Sequence, residues 1–467
     1  MVRATGTPAK RDETVQGTQM VPASQDGART AVPGGTLPAP GRRALLGAGL
    51  GAGLAAATAG WRPARAQGTS QAAVTLNFAV WGNRAEEEAF QALIKRYTDA
   101  HPNVTIRLEV NGSSTQLYQQ VDTRLAGRQA PDLIRIQYQQ TGRYAKAGAI
   151  VDLSGHLDGA AAGQFAPAMW NAVNYRGKVF GLPHHTDTLA VFCNLDMFRK
   201  IGVELPKRVE DSWRWEEFIR IARALKEQGG APFGFASAWQ NNTGYRFLPY
   251  LYQHGGKMLS DDLSRPQLSS KEGVETIAWA QSWFNEKLVP PTTSVKSSEQ
   301  TQNLLANGTI GMLVHGDWQI PFLQDAMKRA EWGVTFMPRD VAMASDLGGN
   351  CLAVTRDSKN RDVAIDFLRF ATDEANMREF CIAGGFLPVR KSLMGSALPY
   401  TLRPDAMQVF VEQSRTIPDH LARTVTLPEF SRINAKLSEQ LDLAFTSGQD
   451  AKTTAANIDA ATQSLLG

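Results

Sequence analysis

Cysteine is scarce in this chain of 467 residues. Cys193, Cys351 and Cys381 are too few and too unevenly spaced for a disulfide framework or a zinc site. They allow one disulfide in an oxidising compartment, with one thiol left over. No sign of charge dominates either, with 49 Lys and Arg against 45 Asp and Glu. Residues 1–66 hold 8 of the basic and 3 of the acidic side chains, so the remainder stands at 41 against 42, a net of −1. A basic balance confined to the first segment argues neither for nucleic acid nor for a membrane surface. Signatures of covalent chemistry are missing: there is no G-x-S-x-G, no H-E-x-x-H and no Cys–His pattern. No repeat of solenoid length recurs.

What is present begins with an address. Arg42 and Arg43 precede an almost uncharged stretch, Ala44 to Gly60, and Ala64-Arg65-Ala66 offers a small-x-small cleavage pattern before Gln67. A twin arginine ahead of a mildly apolar Gly/Ala segment resembles a Tat leader. The stretch falls short of the roughly 20 apolar residues that cross a bilayer, so export with cleavage near Ala66 is expected rather than anchoring. Gly47 to Ala52 fits the letters of a dinucleotide fingerprint, but no strand and helix flank it, so the match is rejected. No cysteine follows the leader to carry a lipid, and a soluble periplasmic protein is expected.

The remaining ~400 residues exceed the usual size of one domain, so two are expected. Val74, Leu76, Phe78 and Val80 alternate as a strand face, and Phe90, Leu93, Ile94 and Tyr97 recur at helical spacing. Val104 to Val110 alternates again, Leu117, Val121 and Leu125 mark a second helix, and residues 132–136 a third strand. This β-α-β-α-β order implies parallel strands with right-handed crossovers. A second α/β run follows Pro183. It has strands over 189–193 and 310–314 and a helix through Trp215, Phe218, Ile219, Ala222 and Leu225. A strand over 352–355 and a helix over 363–371 come later. The fold class is α/β, with two doubly wound lobes, and ligands of such sheets bind beyond the carboxyl ends of strands.

Several ordered motifs then carry a resemblance. Pro131-Asp132-Leu133-Ile134 leads to Tyr144–Ile150 and Asp152-Leu153. Gly177–Pro183 leads to Val191-Phe192-Cys193-Asn194 and Gly202. Asn307–Met312 with Gly316-Asp317-Trp318, Gly348-Gly349, residues 364–370 and Phe386–Arg390 complete the order. In this sequence the chain resembles the extracellular solute-binding proteins of ABC importers, sugar-binding branch, over nearly all of residues 74–467. Cys193 departs from the usual Tyr, and Arg214-Trp215-Glu216-Glu217 lacks the usual capping hydroxyl. The resemblance implies a type II periplasmic binding protein whose chain crosses between lobes more than once. Residues 74–185 and 352–400 would form the first lobe, and 188–350 and 401–467 the second.

A sugar offers an apolar face and a ring of hydroxyls, which call for an aromatic plane beside carboxylates, amides or His. Trp81, Asn83 and Arg84 follow the first strand, and Tyr138, Gln139 and Gln140 the third. His185 and Asp187 stand at the first crossover, where the resemblance implies a ligand-binding carboxylate at Asp187. His184, His185 and Asp187 lie too close in sequence to aim three groups at one metal, and hinge-loop hydrogen bonding is expected of the histidines. Trp239, Asn241 and Tyr245 form an aromatic, amide-rich loop. The resemblance implies a sugar-stacking role for Trp318, while Gly349 and Asn350 enter the second crossover. Arg390 is expected on the surface.

The expected function is capture of a mono- or oligosaccharide or polyol between the lobes and delivery to a membrane permease. No catalysis, cofactor, metal or nucleic acid is expected, and the protein is expected to be a monomer. Two rivals remain: an exported carbohydrate-active enzyme, which needs two flanking carboxylates or an activated nucleophile, and a binding protein for a polyamine or phosphate ester. Polyamines would want several carboxylates, of which the sequence singles out only Asp187.

Overall fold

Strand β1 (Val74–Trp81) pairs in parallel with β2 (Val104–Asn111) over its whole length, Val74 opposite Val104 and Trp81 opposite Asn111. Between them runs helix α1 (Arg84–Ala100), whose Phe90, Leu93, Ile94 and Tyr97 are buried against the sheet. Helix α2 (Ser114–Ala126) returns the chain to β3 (Leu133–Gln137), parallel to β1. A computed structural model describes residues 72–394 and 396–467. The expected leader and its cleavage point lie outside the described residues.

Beyond β3, a tight hairpin of β4 (Asn174–Tyr175) and β5 (Lys178–Val179) turns through Arg176 and Gly177, both at positive φ, as a two-residue primed turn requires. Then β6 (Leu182–His185) joins the first sheet through β11 (Asn350–Val354), which is antiparallel to both β3 and β6. The first sheet thus runs β2-β1-β3-β11-β6. The second takes β7 (Leu189–Asn194), β8 (Phe233–Ser237), β9 (Ile310–Gly316) and β10 (Trp332–Thr335) in the order β10-β7-β9-β8. Only β8 and β9 are parallel there. Both sheets are therefore mixed, each with helices packed on it, in two α/β lobes.

Residues 186–188 carry the chain from β6 to β7, and residues 336–349 return it from β10 to β11. The two crossings lie side by side. Thr186 Oγ1 donates to Gly348 O (3.2 Å), Thr188 Oγ1 to Asp346 O (2.9 Å), and Gly348 N to Asp187 O (3.1 Å). Gly349 sits at φ 91°, and a Cβ there would collide with His185 O and Thr186 Cα, so the crossing backbones can touch only at glycine. After β11 the helices Arg361–Ala371 and Glu374–Gly384 pack beside α1, and the helix Pro404–Ser414 packs on β7 and β10.

All three cysteines are free thiols buried in separate elements, Cys193 in β7, Cys351 in β11 and Cys381 in the helix Glu374–Gly384, so no disulfide forms among the described residues. No helix among the described residues is long and apolar enough to cross a membrane.

Candidate functional site

The carboxyl ends of β1 and β3 meet β6 and β11 around one buried guanidinium. Arg135, 1 % exposed, points from β3 so that Nη1 donates to the Trp81 carbonyl and Nη2 to Glu86 Oε1 at 2.8 Å. Glu86 is the N3 residue of α1. Its Oε2 accepts from Asn83 N (2.6 Å), while Asn83 Oδ1 accepts from Glu86 N (3.0 Å), a complete capping box. Asn350 turns its amide oxygen toward Arg135 Nη2 (3.1 Å) and His185 Nε2 (3.0 Å) and its nitrogen toward Gly349 O. Burial, with Arg135 alongside, holds His185 far below the usual histidine range and therefore neutral. The Arg135 guanidinium also lies 4.5 Å from the Trp81 ring centroid. Every member of this network has a partner.

The other lobe presents the opposite condition. Asp187, Asp317 and Asp346 converge where β6 passes to β7, where β9 ends and near the end of the second crossing. Asp317 and Asp346 are 0 % and 1 % exposed, and Asp187 is 8 % exposed. Asp317 Oδ1 accepts from Thr188 N at 3.3 Å, but Oδ2 has no partner, and neither oxygen of Asp346 has one. The nearest cation to Asp346 is Arg246, Nε to Oδ2 at 3.7 Å, beyond hydrogen-bond reach. Burial pushes Asp346 up to about 6, against the pull of Arg246. Burial and the neighbouring carboxylates raise Asp187 and Asp317 as well. Arg246 donates through Nη1 to Ala238 O (2.8 Å) and lies 4.9 Å from the Trp318 ring and 5.5 Å from the Tyr245 ring. His315, held neutral by burial, meets Trp318 edge to face.

Between the two strand ends, Asn83 Nδ2 donates across to Trp318 O at 3.4 Å. Trp81, Asn83, His185, Asp187, Tyr245, Trp318, Gly349 and Asn350 are thus gathered around the crossings. Asp187 Oδ1 lies against Gly348, where a Cβ would fall inside the carboxylate. The other expected residues are placed elsewhere. Arg84 is a surface residue, its side chain 91 % exposed and paired with Glu88 at 2.7 Å. Tyr138 is not in a loop, because β3 runs directly into helix α3 (Tyr138–Lys146). Its ring is buried and its hydroxyl donates to His185 O (3.1 Å). Gln139 is buried with Nε2 on Leu347 O (2.5 Å), and Gln140 is half-buried on the same helix. Trp239 is a core residue, 1 % exposed and stacked on Trp283 and Phe445, with Nε1 donating to Thr293 O (2.8 Å). Asn241 is exposed at φ 57° with its backbone N on Ser297 O (2.8 Å), which fixes the loop and not a ligand.

His184 and His185 belong to strand β6 and not to a hinge loop. His184 is packed between Phe90 and Phe380 with both ring nitrogens unpartnered. Arg390 is half-buried, with Nε on Thr372 O (2.6 Å) and Nη1 on Gln164 Oε1 (2.7 Å), so it ties loops together instead of lying free. Sequence reasoning missed Arg135, Glu86, Arg246, Asp317 and Asp346. Asp317 stood inside a quoted motif, between Gly316 and Trp318, and Asp346 lies two residues before the glycines of the crossing. Among the described residues, no group of three or more His, Cys, Asp or Glu side chains is arranged to hold a metal ion.

Two mixed α/β lobes with doubled crossings, and a polar, indole-flanked site between strand ends, define a two-lobed binding protein. The chain belongs to the bacterial extracellular solute-binding protein family, whose model matches residues 81–378. It is 22 % identical to the maltotriose-binding protein of Pyrococcus abyssi, covering 68 % of this chain and 67 % of that one. It is also 22 % identical to the mannitol-binding protein of Pseudomonas aeruginosa, covering 81 % and 89 %. Among solved structures, the fold matches an ABC transporter solute-binding protein from Thermotoga lettingae bound with α-D-tagatose. The TM-score is 0.73 at 21 % identity, covering 84 % of this chain and all of that one.

Proposed function

We propose that this protein captures a carbohydrate or polyol between its lobes and hands it, unchanged, to the permease of an ABC importer. The observation that carries the reading is that half-buried Trp81 and Trp318 stand at strand ends of the two sheets, bridged by the hydrogen bond from Asn83 to the Trp318 carbonyl, with the buried Asp187 carboxyl at the adjoining crossing. Indole planes suit the CH face of a sugar ring, and a carboxyl exchanges hydrogen bonds with its hydroxyls. The maltotriose- and mannitol-binding relatives support the ligand class.

Ligand would first meet one lobe and gain the second lobe's contacts on closure, shifting the open–closed population by its differential affinity. The twin arginine and the small-x-small site ending at Ala66 support Tat export to the periplasm, where the protein would act as a monomer. Residues 74–185 with 352–400, and 188–350 with 401–467, are the lobes that move. No step requires bond chemistry.

The test is thermal unfolding of the purified protein against sugars, polyols, polyamines and phosphate esters. A ligand at 100 times its Kd adds about 2.7 kcal/mol of stability. A large shift with one sugar class, recovered chemically intact, supports the reading. A shift only with a phosphate ester or a linear polyamine replaces the ligand class, and turnover of the sugar overturns the binding-protein reading.

A further inference from the structure

The polar groups that face each other between the lobes do not balance. Arg135 is matched by Glu86 at 2.8 Å, and their charges cancel. His184, His185 and His315 are neutral, because burial lowers all three. What remains is three carboxyl groups, Asp187, Asp317 and Asp346, against the single guanidinium of Arg246. Burial, together with their own proximity, raises all three and favours protons shared among them, which a bound cation would displace. The hydrogen-bond inventory leans the same way. Asp317 Oδ2 and both oxygens of Asp346 are buried acceptors without partners. Gln139, 5 % exposed, reaches the same crossing through Nε2 on Leu347 O and leaves Oε1 as a fourth. Against them stand Arg246 Nε, the unpartnered donor beside the three carboxyls, and the single N–H of neutral His184, which is turned between Phe90 and Phe380.

A buried polar group without a partner is costly, and an unpaired buried charge more so. A neutral hydroxyl brings one donor and two acceptors, so it relieves the acceptors only in part and the charge not at all. A protonated amine brings three donors, no acceptor and a positive charge. We propose that the natural ligand is an amine-bearing sugar or polyol whose ammonium group sits among Asp187, Asp317 and Asp346, with its ring or carbon chain toward Trp318. This rests on the carbohydrate reading above and narrows it.

Matched pairs test it: glucose against glucosamine and sorbitol against glucamine, which differ by one amine, and cellotriose against the fully deacetylated chitosan trimer, which differ by one amine per ring. N-acetylglucosamine serves as the neutral control of similar bulk. Affinities are read by calorimetry on the purified protein. The amine member of at least one pair should bind ten-fold or more tighter than its neutral partner, and N-acetylation should remove the gain. In Asp346→Asn and in Asp317→Asn that ratio should fall toward one. Both substitutions remove a buried carboxylate and keep its shape, and the unfolding temperature of each free variant confirms that it folds. Binding in which, for every pair, the neutral member binds as well as or better than its amine overturns the proposal and leaves the carbohydrate function standing. Binding of spermidine with no response to any sugar overturns both.

Discussion

The two sides of the site are built on opposite terms. On the five-stranded side, Arg135 meets Trp81, Glu86 and Asn350, and Asn83 and Glu86 cap each other. On the four-stranded side, Asp317 and Asp346 are just as deeply buried and yet largely unpartnered. Folding alone explains the first: a satisfied network fixes where β1 ends and so where the Trp81 indole stands. It does not explain the second, since a buried carboxylate without a donor destabilises the free protein. Strain of that kind persists at functional places. The first side is therefore read as scaffold and the second as the surface waiting for ligand.

The comparison breaks most visibly at Arg135. Replacing it by Met strands Glu86 in the interior, and loss of one partner of a buried pair costs about 3–5 kcal/mol. Urea unfolding should show the loss, and Arg135→Met combined with Glu86→Gln should recover part of it. A variant as stable as the parent would mean that the network does not hold the strand ends.

Two tryptophans sharpen the contrast. Trp239→Ala removes a stacked core indole and should lower stability by about 3–5 kcal/mol whether or not ligand is present. Trp318, half-buried beside Arg246, should cost far less stability when changed to Ala. It should instead weaken ligand binding roughly 10- to 100-fold, the equivalent of about 1.4–2.7 kcal/mol. Calorimetry alongside melting separates the two, and a Trp318→Ala protein that binds normally would remove the indole from the site.

Asp346→Asn should go the other way and stabilise the ligand-free protein, by roughly 1–3 kcal/mol at neutral pH. The folded carboxyl titrates at about 6 against an ordinary 3.8. The folded state therefore binds the extra proton between those values, and the parent's stability falls through that window as pH rises. The advantage of the variant should be absent below pH 4, grow up to pH 6 and then level off. The neutral histidines act in the reverse sense, losing stability as pH falls below 6.5. The difference between variant and parent, and not the parent's own profile, is thus the quantity to measure. A difference that does not change with pH would mean that Asp346 is not buried as a charge.

Much of the scaffold was legible because periodicity reports burial on one face. Val74 to Val80, Val104 to Val110 and the Trp215 helix all fold as the elements that alternation and helical spacing predict, although the burial behind the second alternation stops short of Val110, which is exposed. The site was legible only in part, since its meaning lies in convergence. Asp317 and Asp346 are ordinary acids in sequence, 29 positions apart, and become notable only when two crossings bring them to Asp187. Tyr138 misled because β3 enters α3 without a loop, so that the first residue after the strand is already helical and inward. Trp239 misled because local sequence does not distinguish an indole stacked on Trp283 from one left open to ligand.

The smallest expected effect lies at the seam between the two sides. Asn83 caps α1 through Oδ1 and donates across to Trp318 O through Nδ2. Asp at this position keeps the capping oxygen, and Asn and Asp cap about equally well. It loses the donor, however, and sets an oxygen against the Trp318 carbonyl. That bond can exist only while the lobes are together, so its loss bears on the ligand-bound state more than on the stability of either lobe. Asn83→Asp should leave the unfolding midpoint of the free protein within about 0.5 kcal/mol of the parent. Ligand affinity should fall by about two- to ten-fold, carried by faster release, in keeping with one hydrogen bond of about 0.5–1.5 kcal/mol. Unchanged affinity would show that the Asn83–Trp318 bond adds nothing to the ligand-bound state. A fall in free stability equal to the fall in affinity would show that Asn83 acts only as a helix cap.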